Sequence, residues 1–170
     1  AFRLRDLMKF EFFFAEKEEF RAELAEEMRL HDPDWERKLA DPESIHGLVR
    51  SIRPFNSHRV LRPFLEAYRV VGDALERLDP AAPVDEAELL TTCMNLGRQL
   101  HLQRRIRSAE SVSRVLFANA LRLAANRRLL GTGEDVAACR AAFADELRHA
   151  IRRVDAIDAL AASRRAGLID

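Results

Sequence analysis

Apolar residues recur along most of this chain at the spacing of a helix, and the alternation typical of strands is nearly absent. One apolar stripe recurs every three or four residues, which places its members on one side of a helix with 3.6 residues per turn. Its members are Leu61, Phe64, Leu65, Tyr68, Val71 and Leu75. The stripe predicts a helix from about Val60 to Leu78, with Pro63 tolerated because it falls in the first turn.

Short polar residues separate the apolar stripes, and such residues are typical of the positions that begin a helix. The predicted caps are Asp32, Asp41, Asp85, Ser108 and Thr132. The first two precede a proline, a combination common at helix starts. Asp85 with Glu88 also forms a capping box, which predicts a helix to about Arg104.

These elements predict an all-α fold, a helical bundle of about five to seven helices. The chain has 170 residues, of which 48% are hydrophobic, enough for one domain with a single core over residues 1–170. The short predicted connections favour antiparallel neighbours. No apolar run approaches the roughly 20 residues that span a bilayer, so no transmembrane helix is predicted.

Aromatic residues are concentrated at the start of the chain, in the stretch LMKFEFFFAEKEEF from Leu7 to Phe20. A helix is predicted from Phe2 to about Arg29. One of its faces would carry Phe10, Phe13 and Phe14, but not Phe12. That face fits the core of this domain, while Phe12 lies off it and predicts a second partner surface. Residues 1–30 are therefore a candidate docking segment, with these four phenylalanines as the candidate docking residues. Glutamates dominate its polar side, which disfavours direct insertion into lipid.

The chain has a formal net charge of zero, which argues against nucleic acid as a partner. The charge is uneven, however: residues 1–43 carry thirteen acids and eight bases, and residues 98–128 carry eight arginines and one acid. Arg104, Arg105 and Arg107 lie at a predicted helix junction and are candidates for contact with a phosphate or a lipid headgroup. The interpretation that the residues alone favour is a set of salt bridges with the acidic first segment.

Two cysteines, Cys93 and Cys139, lie in apolar, helix-like surroundings without the spacing of metal ligands. Both are predicted to be buried, reduced thiols, which agrees with an intracellular compartment.

Two E-x-x-H pairs place a carboxylate and an imidazole on one helical face, as carboxylate-bridged di-metal bundles require. They are Glu43 with His46 and Glu146 with His149, and Glu27, Glu66 or Glu110 would supply the single carboxylates. Such short matches arise readily by chance, and an acid in a first turn is favoured by the helix dipole alone. No metal or other cofactor is therefore predicted, and the di-metal bundle stays an alternative. The remaining histidines, His31, His58 and His101, are predicted to have surface or capping roles.

Three longer phrases resemble the region that follows the catalytic module in bacterial glycerol-3-phosphate acyltransferases, especially the actinobacterial ones. They are LMKFEFFFAEKEEFRAEL, VLRPFLEAYRVVGDAL and LGRQLHLQRRIRSAESVSRVLFANALRLAANRRLL, and the likeness weakens after Gly131. The resemblance implies an enzyme of phospholipid biosynthesis that transfers an acyl group from acyl-CoA or acyl carrier protein to position 1 of glycerol 3-phosphate. It also implies peripheral association with the cytoplasmic face of the cell membrane through the parent protein.

The family's catalytic motif, H-x-x-x-x-D, does not occur in this chain. His149 approaches it, but Asp155 follows six positions later instead of five. The resemblance therefore implies a C-terminal helical accessory domain of a longer protein, which is not catalytic by itself. Its expected partners are the upstream acyltransferase module, the membrane surface through that module, and a second copy of the chain. The alternative is a free-standing helical module that binds a ligand or a partner.

Overall fold

The computed structural model describes residues 1–51 and 57–168, without the side chains at positions 46, 49, 50, 57 and 58. Within these ranges the secondary structure is helical and contains no strand, which confirms the predicted all-α fold. The helices are α1 (Phe2–Leu7), α2 (Lys17–His31), α3 (Trp35–Ala40), α4 (Ser44–Ser51), α5 (Ser57–Val60), α6 (Arg62–Leu75), α7 (Glu86–Leu102), α8 (Arg114–Asn126) and α9 (Glu134–Arg165), with a 3-10 turn at Ala109–Ser111.

Helix α6 lies at the centre of the bundle and packs against α7, α8 and α9. Its buried residues run from Leu65 to Leu75, and within that range only Arg69 is not buried. A helix that is buried on nearly all sides is one that other elements surround. The apolar stripe recognised in the sequence is therefore part of the core. Pro63 lies in the first turn of α6, as predicted.

The contact between α6 and α9 depends on a glycine. A Cβ atom at Gly72 would lie 3.1 Å from Leu147 Cδ1 and 3.3 Å from the Ala144 Cα. Both distances are shorter than ordinary van der Waals contact. The absence of a side chain at this position lets the two helix backbones approach closely.

Two of the predicted caps accept the expected backbone hydrogen bonds. Asp85 Oδ1 accepts from the amides of Ala87 and Glu88, at 2.8 and 3.1 Å, and Asp41 accepts from two amides at the start of α4. These aspartates act as predicted because the amides at a helix start have no partner inside the helix. Asp32 accepts from the Asp34 amide, but α3 begins only after Asp34, so Asp32 stabilises the turn ahead of the helix instead of capping it.

The other two predicted caps are wrong. The Ser108 hydroxyl donates to Glu110 instead of capping, and α8 begins after Ser113. Helix α9 begins after Gly133, not after Thr132. Gly133 has a φ of 140°, a backbone conformation that is strained for any residue with a Cβ atom. A glycine is therefore favoured over a threonine at this position.

The single helix predicted from Phe2 to about Arg29 is also wrong. Helix α1 ends at Leu7 and α2 begins at Lys17, so the aromatic stretch between them is not helical. Leu7 and Met8 are both buried in the core, and the phenylalanines that follow pack in different directions. Tertiary packing has overridden a local helix propensity, which is worth less than 1 kcal/mol per residue.

None of the fifteen residues of helix α2 is buried, and the same holds for the six residues of α3. The partly covered residues of α2, Phe20, Leu24, Ala25 and Met28, lie on one side. Among the helices that the structure describes, none combines the length and the apolar composition needed to cross a bilayer.

The cysteines differ from each other. Cys93 is buried, and burial raises the pKa of its thiol to about 12. Cys139 is exposed, so the prediction of a buried thiol there is wrong. The apolar composition around Cys139 did not indicate this exposure.

Candidate functional site

The segment from Gln103 to Ser113, between α7 and α8, carries the arginines that the sequence singled out, and we name it the arginine loop. Ile106 fixes it to the core, since its side chain is fully buried. The amides of Arg105 and Ile106 both donate to the Leu100 carbonyl, which folds the loop back over the end of α7. Arg104 takes a positive φ of 57° to make this turn.

A buried carboxylate on α6 holds the other half of the arginine loop. Glu66 is 2% exposed. Its oxygens accept from the amides of Arg107 and Ser108 at 3.0 and 2.9 Å, and from the Ser111 hydroxyl at 2.9 Å. Arg62, one turn earlier on α6, lies 3.5 Å away. A buried carboxylate is costly unless it is paired and hydrogen-bonded, so these donors explain how the fold retains Glu66 at this place.

The arginine loop does not pair with the acidic first segment. The guanidinium of Arg107 lies 3.5 Å from Asp155 and 3.9 Å from Asp158, both on α9. The predicted salt bridges are therefore wrong for Arg107, whose partners come from the other end of the chain. Arg104 and Arg105 form no ion pair with any residue of the described ranges.

A shallow cleft of about 570 Å³ lies on the outer side of the arginine loop. Its lining residues are His101, Leu102, Arg104, Ile106 and Arg107. Three of them are bases and none is an acid, while Arg105 does not line the cleft. His101 Nδ1 is buried and has no hydrogen-bond partner in the described part of the chain. The structure thus brings two of the three predicted arginines together and adds a histidine, for which the sequence indicated only a surface or capping role.

Three of the four predicted docking phenylalanines pack onto this domain. Phe12 meets Phe64 of α6 edge to face at 5.0 Å, and Phe14 meets Phe20 of α2 at 5.8 Å. Phe10 lies under the guanidinium of Arg122 on α8, 5.1 Å from it. These contacts make the aromatic stretch part of the bundle surface.

Phe13 is the exception, because its side chain is fully exposed. The prediction that Phe12 would be the outward-facing residue is wrong, since it assumed helical spacing through a stretch that is not helical. Glu11 fixes the stretch in place: its carboxylate accepts from the Tyr68 hydroxyl at 2.9 Å and from Asn119 at 3.2 Å. Burial, together with Glu11, raises the pKa of Tyr68.

The candidate metal ligands have other partners or lie apart. Glu146 forms an ion pair with Arg127, and His149 Nδ1 lies 2.9 Å from the Asp145 carbonyl. Glu43 lies just before α4, and the His46 side chain is outside the described residues. Glu66 is occupied by the arginine loop. In residues 1–51 and 57–168 there is no group of three or more potential ligands that would hold a metal ion.

One histidine lies near a serine hydroxyl, which is the arrangement of a serine nucleophile and its general base. His31 Nε2 is 3.2 Å from Ser51 Oγ, but this hydroxyl donates its proton to the Leu48 carbonyl at 2.8 Å. Both partners are exposed to solvent. The pair therefore lacks the orientation and the dry surroundings that activate a serine.

A further buried group, which the sequence did not indicate, ties α8 to α9. The Arg140 guanidinium donates to the carbonyls of Leu129 and Gly131, at 2.9 and 3.1 Å, and burial lowers its pKa. These acceptors follow the end of α8, where carbonyl groups have no helical partner. Arg140 therefore has a structural role.

Comparison with protein families decides where this chain belongs. The model of the glycerol-3-phosphate acyltransferase C-terminal region matches residues 1–133. The chain belongs to this family. The glycerol-3-phosphate acyltransferase C-terminal region thus includes the aromatic stretch and the arginine loop, and its match ends where α9 begins.

Similar proteins are found among the mycobacteria. The chain is 42% identical over 164 residues to the putative acyltransferase plsB1 of Mycobacterium bovis and to that of Mycobacterium tuberculosis. These alignments cover 95% of this chain and 26% of each relative. The chain therefore spans about a quarter of the length of the curated relatives it matches. No solved structure matches it.

Proposed function

We propose that this chain is the helical accessory domain of a larger glycerol-3-phosphate acyltransferase, and that the groups that make the ester bond lie in another module. The parent reaction would transfer an acyl group from acyl-CoA or acyl carrier protein to position 1 of glycerol 3-phosphate. The family match and the relatives' greater length support this assignment. The described residues also offer no imidazole oriented by a carboxylate, the general base that such a transfer needs.

The observation that carries the proposal is helix α2, which is fifteen residues long and buries none of them. Isolated helices of this length are marginal in water, because most helical stability comes from packing an apolar face. Phe20, Leu24 and Met28 supply such a face, and the fully exposed Phe13 lies just before α2. We define the docking surface as Phe13 together with α2. Its proposed occupant is the acyltransferase module, which extends the candidate docking segment by one residue.

Mixing the 170-residue chain with a separately produced acyltransferase module tests this assignment. The chain alone should transfer no acyl group from a thioester to glycerol 3-phosphate, and it should bind the module. Phe13→Ala should weaken that binding about tenfold, because a buried aromatic anchor contributes more than 1 kcal/mol to an interface. Leu102→Ala is the matched control, since Leu102 is an exposed apolar side chain at the end of α7, away from the docking surface in sequence.

Two results would remove the proposal: turnover by the chain alone that is lost on mutating one of its own residues, or binding that Phe13→Ala and Leu102→Ala weaken equally. Sedimentation of the chain alone distinguishes a second copy as the occupant, because a dimer that Phe13→Ala dissociates would place the docking surface between protomers.

We also propose that the cleft on the arginine loop contacts a phosphate group, through Arg104, Arg107 and His101. Arginine presents forked donors to phosphate, and no acid lines the cleft, although Arg107 also lies 3.5 Å from Asp155 on α9. The phosphate would belong to glycerol 3-phosphate or to a lipid headgroup at the cytoplasmic face of the membrane. Arg105 would contribute through charge alone, since it lies outside the cleft.

Binding of glycerol 3-phosphate and of phosphatidylglycerol vesicles separates the two phosphate sources. Arg104→Gln should weaken one of them severalfold, whereas Arg152→Gln, an exposed arginine on α9, should not. Equal loss in the two variants would indicate a general charge effect, and no binding of either probe would remove the cleft as a phosphate site.

A further inference from the structure

A second, larger cavity shares no lining residue with the cleft on the arginine loop. It is a groove of about 850 Å³ between α1, the start of α6 and the middle of α9. Its apolar lining residues are Leu4, Leu7, Leu61, Leu65, Val154 and Ile157. Leu7 and Leu65 are buried beneath it, whereas Ile157 is 37% exposed at its edge. A concave, mostly apolar site of this size is typical of small-molecule binding.

The edge of the groove carries charges that differ in how they are satisfied. Its two acids have cationic partners from this chain: Glu146 pairs with Arg127, and Asp145 lies 2.9 Å from Arg148, which also pairs with two acids of α6 and its C-terminal end. Its two arginines, Arg3 and Arg153, form no ion pair with the rest of the described chain. The groove therefore combines an apolar floor with two arginines at its edge that have no ion-pair partner in the described chain.

We propose that this groove binds the hydrocarbon chain of an anionic single-chain amphiphile, with Arg3 and Arg153 facing its carboxylate or phosphate. An apolar helix from another module would cover the floor but would leave both arginines without an anion. A neutral lipid would do the same. The combination of floor and edge fits a molecule with a greasy tail and one anionic end.

This site is separate from the docking surface and from the arginine loop, and it does not depend on the proposed enzymatic function. Binding can be measured without any turnover, so the proposal of an amphiphile site and the proposal of an accessory domain can be refuted independently. The matching measurement is titration calorimetry with the 170-residue chain, using amphiphiles below their critical micelle concentrations.

Three probes of equal chain length distinguish the anionic groups: laurate, 1-lauroyl-glycerol 3-phosphate and neutral 1-lauroylglycerol. The chain should bind at least one of the anionic probes at one equivalent, and the neutral probe about tenfold more weakly or not at all. Affinity should rise about three- to fourfold for each methylene added, the ratio expected when a buried methylene leaves water.

Variants locate the site. Arg3→Gln with Arg153→Gln should weaken the anionic probe about tenfold and leave the neutral probe unchanged. Arg152→Gln is the matched control, because Arg152 is the exposed neighbour on α9 that does not line the groove. Ala150→Leu should shorten the groove and weaken long-chain probes more than short ones, since Ala150 lines its wall. Circular dichroism confirms that each variant is folded.

The proposal is overturned if the folded chain binds none of the probes. It is also overturned if the double variant and Arg152→Gln lower the affinity equally, or if affinity does not depend on chain length. If mixing the chain with the acyltransferase module abolishes laurate binding, the module occupies the groove. That result would contradict an amphiphile as the occupant.

Discussion

Replacing Glu66 is expected to destabilise the whole chain, because this one carboxylate on α6 holds half of the arginine loop. Its side chain is 2% exposed and accepts from two backbone amides and one hydroxyl within 3.0 Å. Glu66→Ala leaves these three donors without a protein partner. Glu66→Gln keeps the size of the side chain but turns one acceptor into a donor that faces other donors.

The magnitude follows from these contacts. A hydrogen bond to a charged group contributes roughly 1.5–3 kcal/mol, but three bonds that share one carboxylate are not additive. Removing one partner of a buried charged pair costs about 3–5 kcal/mol, and we expect Glu66→Ala to fall in that range. For a chain of this size each kcal/mol lowers the melting temperature by roughly 2–4 °C, so the loss should be about 10 °C. Glu66→Gln should lose about half as much.

Thermal unfolding followed by circular dichroism measures the loss, and hydrogen exchange at the Ser108 amide reports on the loop itself. Glu110→Ala is the matched control: this glutamate lies on the same loop and accepts from the Ser108 hydroxyl, but it is exposed. Its melting temperature should be almost unchanged. Glu66 does not hold the loop if Glu66→Ala and Glu110→Ala have the same melting temperature. The same conclusion follows if the Ser108 amide of Glu66→Ala exchanges as slowly as in the unsubstituted chain.

Four further outcomes are expected from packing and burial. A thiol reagent at pH 8 should modify the exposed Cys139 and spare Cys93 until the chain unfolds; modification of both in the native state would contradict the burial. Because burial raises the Cys93 pKa from 9.0 to about 12, its contribution to stability should be lost as the pH rises between these values. Phe12→Ala should lower the free energy of unfolding, measured with denaturant, by about 2 kcal/mol, which is less than the loss of a fully buried phenylalanine. Phe13→Ala should leave it unchanged. Equal effects of the two substitutions would show that the aromatic stretch is packed differently. Gly72→Ala should destabilise by about 1–3 kcal/mol, since its Cβ would press on α9, and a stabilised variant would mean that the helices are farther apart.

The sequence predicted the elements whose signals are local. Helix α6 was predictable because its apolar stripe is long, and the start of α7 because Asp85 needs only the amides two and three residues ahead. The cap at Thr132 failed because the neighbouring Gly133 supplies the positive φ, and the cap at Ser108 failed because a 3-10 turn follows it and α8 begins only after Ser113.

The candidate sites depended on contacts that are distant in sequence. The partners of Arg107 are on α9, about fifty residues away, so charge composition near the arginines could not identify them. Glu66 did not stand out in the sequence because it lies on the polar stripe that Arg62, Arg69 and Asp73 form along α6, and such a stripe is typical of a solvated face. The aromatic stretch misled because phenylalanine spacing fits a helix that packing onto α6 and α8 prevents.

Hydrogen exchange of α2 tests the accessory role most directly, comparing the 170-residue chain with the same chain joined to its acyltransferase module. Docking of that module predicts that the α2 amides exchange at least tenfold more slowly in the joined protein, while the α6 amides, already buried, do not change. Equal exchange of α2 in the two proteins would contradict a docked accessory domain.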